Sequence, residues 1–159
     1  VLRLVDEIPD LCVLFKEKKA RDIHGTFDPE RGPLLASLYE RMSRHPRIRF
    51  FSREHDSSEL IAVSAATVSF PFTSTTFEAH SANKPAVWHD PMGYYDKTPY
   101  AQLSGLMTHG YETLKARVLA LKSGLPGTFA SAEPGNLRLL DPYRDGLAID
   151  RFRDLLASS

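Results

Sequence analysis

A chain of 159 residues, 42% hydrophobic and 25% charged, is long enough to bury one core and has the make-up of an ordinary globular domain. Twenty basic side chains balance twenty acidic ones, which removes the compositional case for a nucleic-acid or polyanion binder. A single cysteine excludes an intrachain disulfide, and no stretch approaches the ~18 apolar residues of a membrane span or has a signal-peptide pattern.

Leu2, Val5 and Ile8 form a short helical stripe, punctuated by Pro9-Asp10. Leu11-Cys12-Val13-Leu14-Phe15 is an unbroken apolar run, expected to be a central parallel strand buried on both faces. Cys12 is read there as a small core residue rather than a reactive thiol. Lys16, Lys18, Lys19 and Arg21 follow directly. A polar loop with Gly25, Pro29, Gly32 and Pro33 leads into a helix predicted over 34–43, and Ile48-Arg49-Phe50-Phe51 is the second strand. Asp56 with Glu59 gives the pattern of an N-cap and an acidic first turn, so a helix is predicted over 57–65.

Val68-Ser69-Phe70 makes the third strand, 75–82 a helix and Ala86-Val87-Trp88 the fourth strand. Pro91, Gly93, Pro99 and Gly105 mark a long loop, and the period of Tyr111, Leu114, Val118 and Leu121 predicts a helix over 109–122. A Gly/Pro-rich link precedes a short strand at Leu137–Leu140 and a last helix over about 146–157. This alternation predicts an α/β fold: one domain over 1–159, a Rossmann-like parallel sheet flanked by helices on both faces.

Ligands of such sheets sit beyond the C-terminal strand ends, where loops 16–21, 71–76 and 89–98 converge. A turn that opens a helix offers free N–H groups and the positive end of the helix dipole, which suits a phosphate. Thr73, Ser74, Thr75 and Thr76 add hydroxyls there, more than a helix cap needs. Glu78, one turn further in, suits ribose hydroxyls better than phosphate; its plainer reading is a first-turn acid facing the dipole. Lys16 and Lys18 are candidates to neutralise a nucleotide phosphate. Asp90, at the end of the fourth strand, either faces the ligand or caps the turn at Pro91. The spacing of His24, His55, His80, His89 and His109 gives no zinc pattern, and no metal is expected. Nucleophile-elbow, dinucleotide and P-loop motifs do not occur.

Thr75-Thr76-Phe77-Glu78-Ala79 followed by Lys84-Pro85-Ala86-Val87 resembles the donor-binding half of GT-B glycosyltransferases. Pro71-Phe72-Thr73-Ser74-Thr75 and His89-Asp90-Pro91 bring it closer to bacterial surface-polysaccharide biosynthesis proteins, with a further echo at Leu140–Gly146, Ala148 and Arg151. The likeness runs over roughly 11–156 and is distinctive in 68–91. It implies a hydroxyl-rich turn facing the donor phosphate and a ribose-binding carboxylate at Glu78. His45-Pro46 matches a pair that holds the nucleotide in CMP-sugar transferases, but here it follows a helix and precedes a strand, at the opposite sheet edge.

The resemblance implies the nucleotide-sugar-binding half of a glycosyltransferase for surface polysaccharide, excised from a longer protein and inactive alone. The nucleotide-sugar is then substrate rather than cofactor, and no cofactor is expected. The other partners are a missing N-terminal domain carrying the general base and a glycan or lipid-linked acceptor. Nucleic acid is not expected as a partner. Location is expected to be cytoplasmic, with the full-length protein peripheral to the inner membrane face. The alternatives are a non-catalytic interaction domain of an envelope polysaccharide assembly protein and a phosphopolyol transferase half. The Asp-Tyr-Ser-Ser typical of the latter is missing.

Overall fold

A computed structural model describes residues 1–17, 32–71, 73–98, 101, 105–123, 143 and 145–158. In chain order they form α1 (Leu2–Glu7), β1 (Val13–Lys16), α2 (Gly32–Arg44), β2 (Ile48–Phe51), α3 (Ser57–Val63), β3 (Thr67–Ser69), α4 (Ser74–Ser81), β4 (Ala86–Asp90), β5 (Met107–His109), α5 (Gly110–Lys122) and α6 (Ala148–Ala157). The expected α/β class holds. All described strand pairs are parallel, and they form two sheets, β1-β2 and β3-β4-β5. Lys18 and the strand predicted at 137–140 lie outside the described residues.

Helix α1 joins the two sheets. Its Leu4 and Ile8 pack with Val87 of β4 and Leu114 of α5, while its Val5 packs with Met42 of α2 and Ile48 of β2. Two groups of α5, Lys115 and Tyr111, fix it in place. Glu7 accepts from Arg3 Nε at 2.7 Å, from Lys115 Nζ at 2.6 Å and from the Tyr111 hydroxyl at 2.8 Å. Those bonds, Lys115 first, hold the Glu7 pKa down at about 2. At the C-terminus of α1, Arg47 donates to the carbonyl of Ile8 at 2.8 Å and to that of Val5. A cation there satisfies carbonyls that have no intrahelical partner and opposes the negative end of the dipole.

The first strand corrects one expectation. Leu11, Val13 and Phe15 pack inward, and the period of two turns Cys12 the other way, so Cys12 is exposed. β1 is half-buried along its length and, among the described residues, pairs with β2 alone, so the apolar run is not a strand covered on both faces. β5 is an addition: it pairs with β4 within the stretch from Pro91 to His109 that reads from sequence as loop running into helix.

Asp56 caps α3 by accepting from Ser58 N at 2.8 Å, as its sequence pattern predicts. At the far end of α3, Lys84 Nζ donates to the carbonyls of Ala62 at 2.8 Å and Ser64 at 3.4 Å. Lys84 thus serves a helix terminus. Helix α6 turns an apolar face outward: Ile149, Phe152, Leu155 and Leu156 are 63% to 68% exposed. No helix among the described residues is long and apolar enough to cross a membrane.

Candidate functional site

The turn between β3 and α4 is built from Pro71, buried, and Thr73, the N-cap of α4 in extended conformation. The Thr73 side chain does not cap. Its hydroxyl lies 2.8 Å from the carbonyl of Phe70 and 2.9 Å from Ser69 Oγ, back toward the strand. Ser69 Oγ is in turn 2.6 Å from Thr76 Oγ1, which is fully buried and 3.4 Å from the carbonyl of Val87 in β4. The hydroxyls of Ser69, Thr73 and Thr76 therefore form one internal relay that ties β3, the turn, α4 and β4 together.

Two of the four hydroxyls expected to face a phosphate are consumed by this relay. Ser74, exposed, and Thr75, half-buried, have no hydrogen-bond partner among the described residues. With the N-cap side chain turned away, the first amides of α4 also lack a side-chain acceptor. Glu78 stands one turn on from Ser74, exposed, with no ion pair among the described residues. Ser74, Thr75 and Glu78 thus share the opening turns of α4, at the C-terminal end of β3.

Lys16 goes elsewhere. Its ammonium donates to the carbonyl of Arg53 at 3.2 Å, on the loop from β2 to α3, and no bond joins it to the α4 turn among the described residues. Its charge helps hold the Asp56 pKa below the ordinary value, after the hydrogen bonds from Ser58. His45 accepts from Arg47 N through Nδ1 at 3.1 Å and lies 3.4 Å from Asp6, structural contacts in keeping with its place on the far edge.

Asp90 is fully buried at the end of β4. Its Oδ1 accepts from Met92 N at 3.3 Å and its Oδ2 from Tyr95 N at 2.7 Å, so the carboxylate organises the loop that follows. Burial acts to raise its pKa, but the N–H groups of Tyr95, Tyr94, Met92 and Gly93 together outweigh that and keep it below the ordinary value. The neighbouring His89 is lowered chiefly by burial. Thr108 donates its hydroxyl to the carbonyl of Trp88 at 3.2 Å, so it accepts from His89 Nδ1 at 3.1 Å, which places the ring hydrogen on Nδ1.

Sequence spacing concealed one grouping. Asp90 and His109 are opposite one another in the β4–β5 register, and Asp96 of the intervening loop lies 3.2 Å from His109 Nδ1. Ligating atoms of Asp90, Asp96 and His109 all fall within 4.8 Å of one another. The signal that could have revealed it is the β5 pairing, which a three-residue strand carries too faintly to read from the chain.

Comparison with known families matches residues 1–118 to the family described as polysaccharide biosynthesis PFTS motif protein. Comparison with curated proteins and with solved structures finds no match. The motif letters stand in this chain as Pro71-Phe72-Thr73-Ser74, the turn from β3 into α4 around which the hydroxyl relay closes. The match spans well over half of the sequence, and the chain belongs to the polysaccharide biosynthesis PFTS motif family, with a role in polysaccharide biosynthesis.

Proposed function

We propose that this chain binds the nucleotide-sugar donor of a GT-B-like glycosyltransferase, and that the PFTS turn is where the donor phosphate docks. The observation that carries this reading is the N-terminus of α4, which has no side-chain cap, flanked by the hydroxyls of Ser74 and Thr75, which have no partner among the described residues. Backbone N–H groups and hydroxyls fixed in advance by a buried relay stabilise charge developing on a leaving phosphate without reorganising. Glu78, outward on the same helix, accepts from the ribose hydroxyls. Thr73 and Thr76 act one step removed, by fixing the turn. Lys16 contributes at longer range, from the C-terminal end of β1, and Asp90 by ordering the loop after β4. The general base belongs to the other half of the enzyme, so this half alone binds donor and turns over nothing.

The test is a thermal-shift and NMR titration with UMP, UDP, CMP, CDP, GDP and their sugar conjugates. One nucleotide is expected to perturb residues 73–78 selectively, and Ser74→Ala with Glu78→Ala to abolish the response. A flat result with the full-length protein removes the transferase reading and leaves an interaction domain.

A further inference from the structure

We infer that Asp90, Asp96 and His109 form a binding site for a first-row divalent cation, Mn²⁺ or Zn²⁺, at the C-terminal edge of β4 and β5. Three separate pieces of chain converge there. Asp90 ends β4, His109 ends β5 as its register partner, and Asp96 comes from the loop between them. Asp90 itself shapes that loop through its bonds to Met92 and Tyr95, so one ligand positions another.

The electrostatics favour a cation. Asp90 is a fully buried carboxylate with a second carboxylate in its immediate neighbourhood and backbone amides as its hydrogen-bond donors. With one amide hydrogen bond on each oxygen, from Met92 and from Tyr95, each carboxylate oxygen keeps a further lone pair. Two like charges this close repel, and a divalent ion between them converts the repulsion into attraction. Metal–ligand distances of about 2.0–2.2 Å allow ligand atoms up to roughly twice that apart. The 4.8 Å spread therefore closes with a small movement of Asp96 and His109, whose side chains are 60% and 44% exposed. Buried Asp90 need not move.

The donor set selects the ion. One imidazole with two carboxylates suits Mn²⁺ or Zn²⁺, whereas Mg²⁺ and Ca²⁺ prefer oxygen throughout. His109 also borders a cleft of about 400 Å³ lined by Thr108, Thr113 and Arg117. The site shares Asp90 with the donor reading but uses none of the α4 turn, and metal binding measured without nucleotide can stand or fail separately.

The experiment is calorimetric titration of the chain with Zn²⁺ and Mn²⁺ in the absence of any nucleotide, with Mn²⁺-induced NMR line broadening to locate the ion. The expected result is 1:1 binding, with broadening centred on residues 90–96 and 107–110. Asp96→Asn and His109→Gln, both at exposed side chains, should each weaken affinity at least about ten-fold with an unchanged circular dichroism spectrum. Binding of equal strength in both variants, broadening centred on other histidines, or no heat at about 1 mM metal would each overturn the inference.

Discussion

Thr76 Oγ1 lies 2.6 Å from Ser69 Oγ, and that contact joins the first turn of α4 to the last residue of β3. It makes the PFTS segment a structural clasp as well as a candidate binding turn. Thr76→Val keeps the shape of the side chain and removes its hydroxyl. It should cost about 1–2 kcal/mol in urea unfolding. Ser69→Ala should cost a similar amount, and the double variant less than the sum by about 0.5 kcal/mol or more, since both changes break one relay.

Ser74 and Thr73 should separate binding from folding. Ser74 is exposed with no described partner, so Ser74→Ala should leave stability within about 0.5 kcal/mol while reducing the nucleotide response. Thr73→Val removes the hydroxyl that closes on Phe70 and Ser69, and should lower the unfolding midpoint. Equal effects of the two changes on stability would contradict the division of labour between them.

Arg47 should behave as a helix cap placed far away in sequence. Its bonds to the carbonyls of Val5 and Ile8 are charge-assisted and half-buried. Arg47→Met retains the aliphatic stem and removes the donors, at an expected loss of about 1.5–3 kcal/mol. Amide exchange should accelerate first in α1.

Glu7 predicts an acid limb. Its pKa is held at about 2 in the folded chain against an ordinary 4.5, because Lys115, Arg3 and Tyr111 all donate to its carboxylate. A depressed folded pKa means the unfolded chain takes up the proton first, so stability falls as pH drops. The Glu7 contribution is complete above about pH 4.5 and is lost as pH falls toward 2. Glu7→Gln should flatten that part of the stability–pH curve, measured by urea midpoints in steps between those values.

Much of the fold was legible wherever periodicity and caps agreed. The strand at Ile48–Phe51 and the Asp56 cap follow directly from an apolar run and an Asx-Ser-Ser-Glu pattern. What escaped was set by partners. The one-sidedness of β1 and the exposure of Cys12 depend on which face meets α2 and β2, which an all-apolar run does not encode. β5 is three residues long and exists because β4 offers it a ladder. At the site, the hydroxyl-rich turn was evident, yet which hydroxyls face inward is decided by the neighbouring Ser69 and Val87, one of them on another strand. Lys84 was equally visible as a conspicuous cation, and its carbonyl partners on α3 were not.

Helix α1 has six residues, too few to persist by themselves in water. Its shape depends on Val87, Leu114 and Lys115, which lie roughly eighty to 110 positions downstream. α1 therefore cannot take its place until α5 has been translated. Docking of α1 between the two sheets is then a long-range event, of the kind that comes late because a long stretch of chain must first be closed.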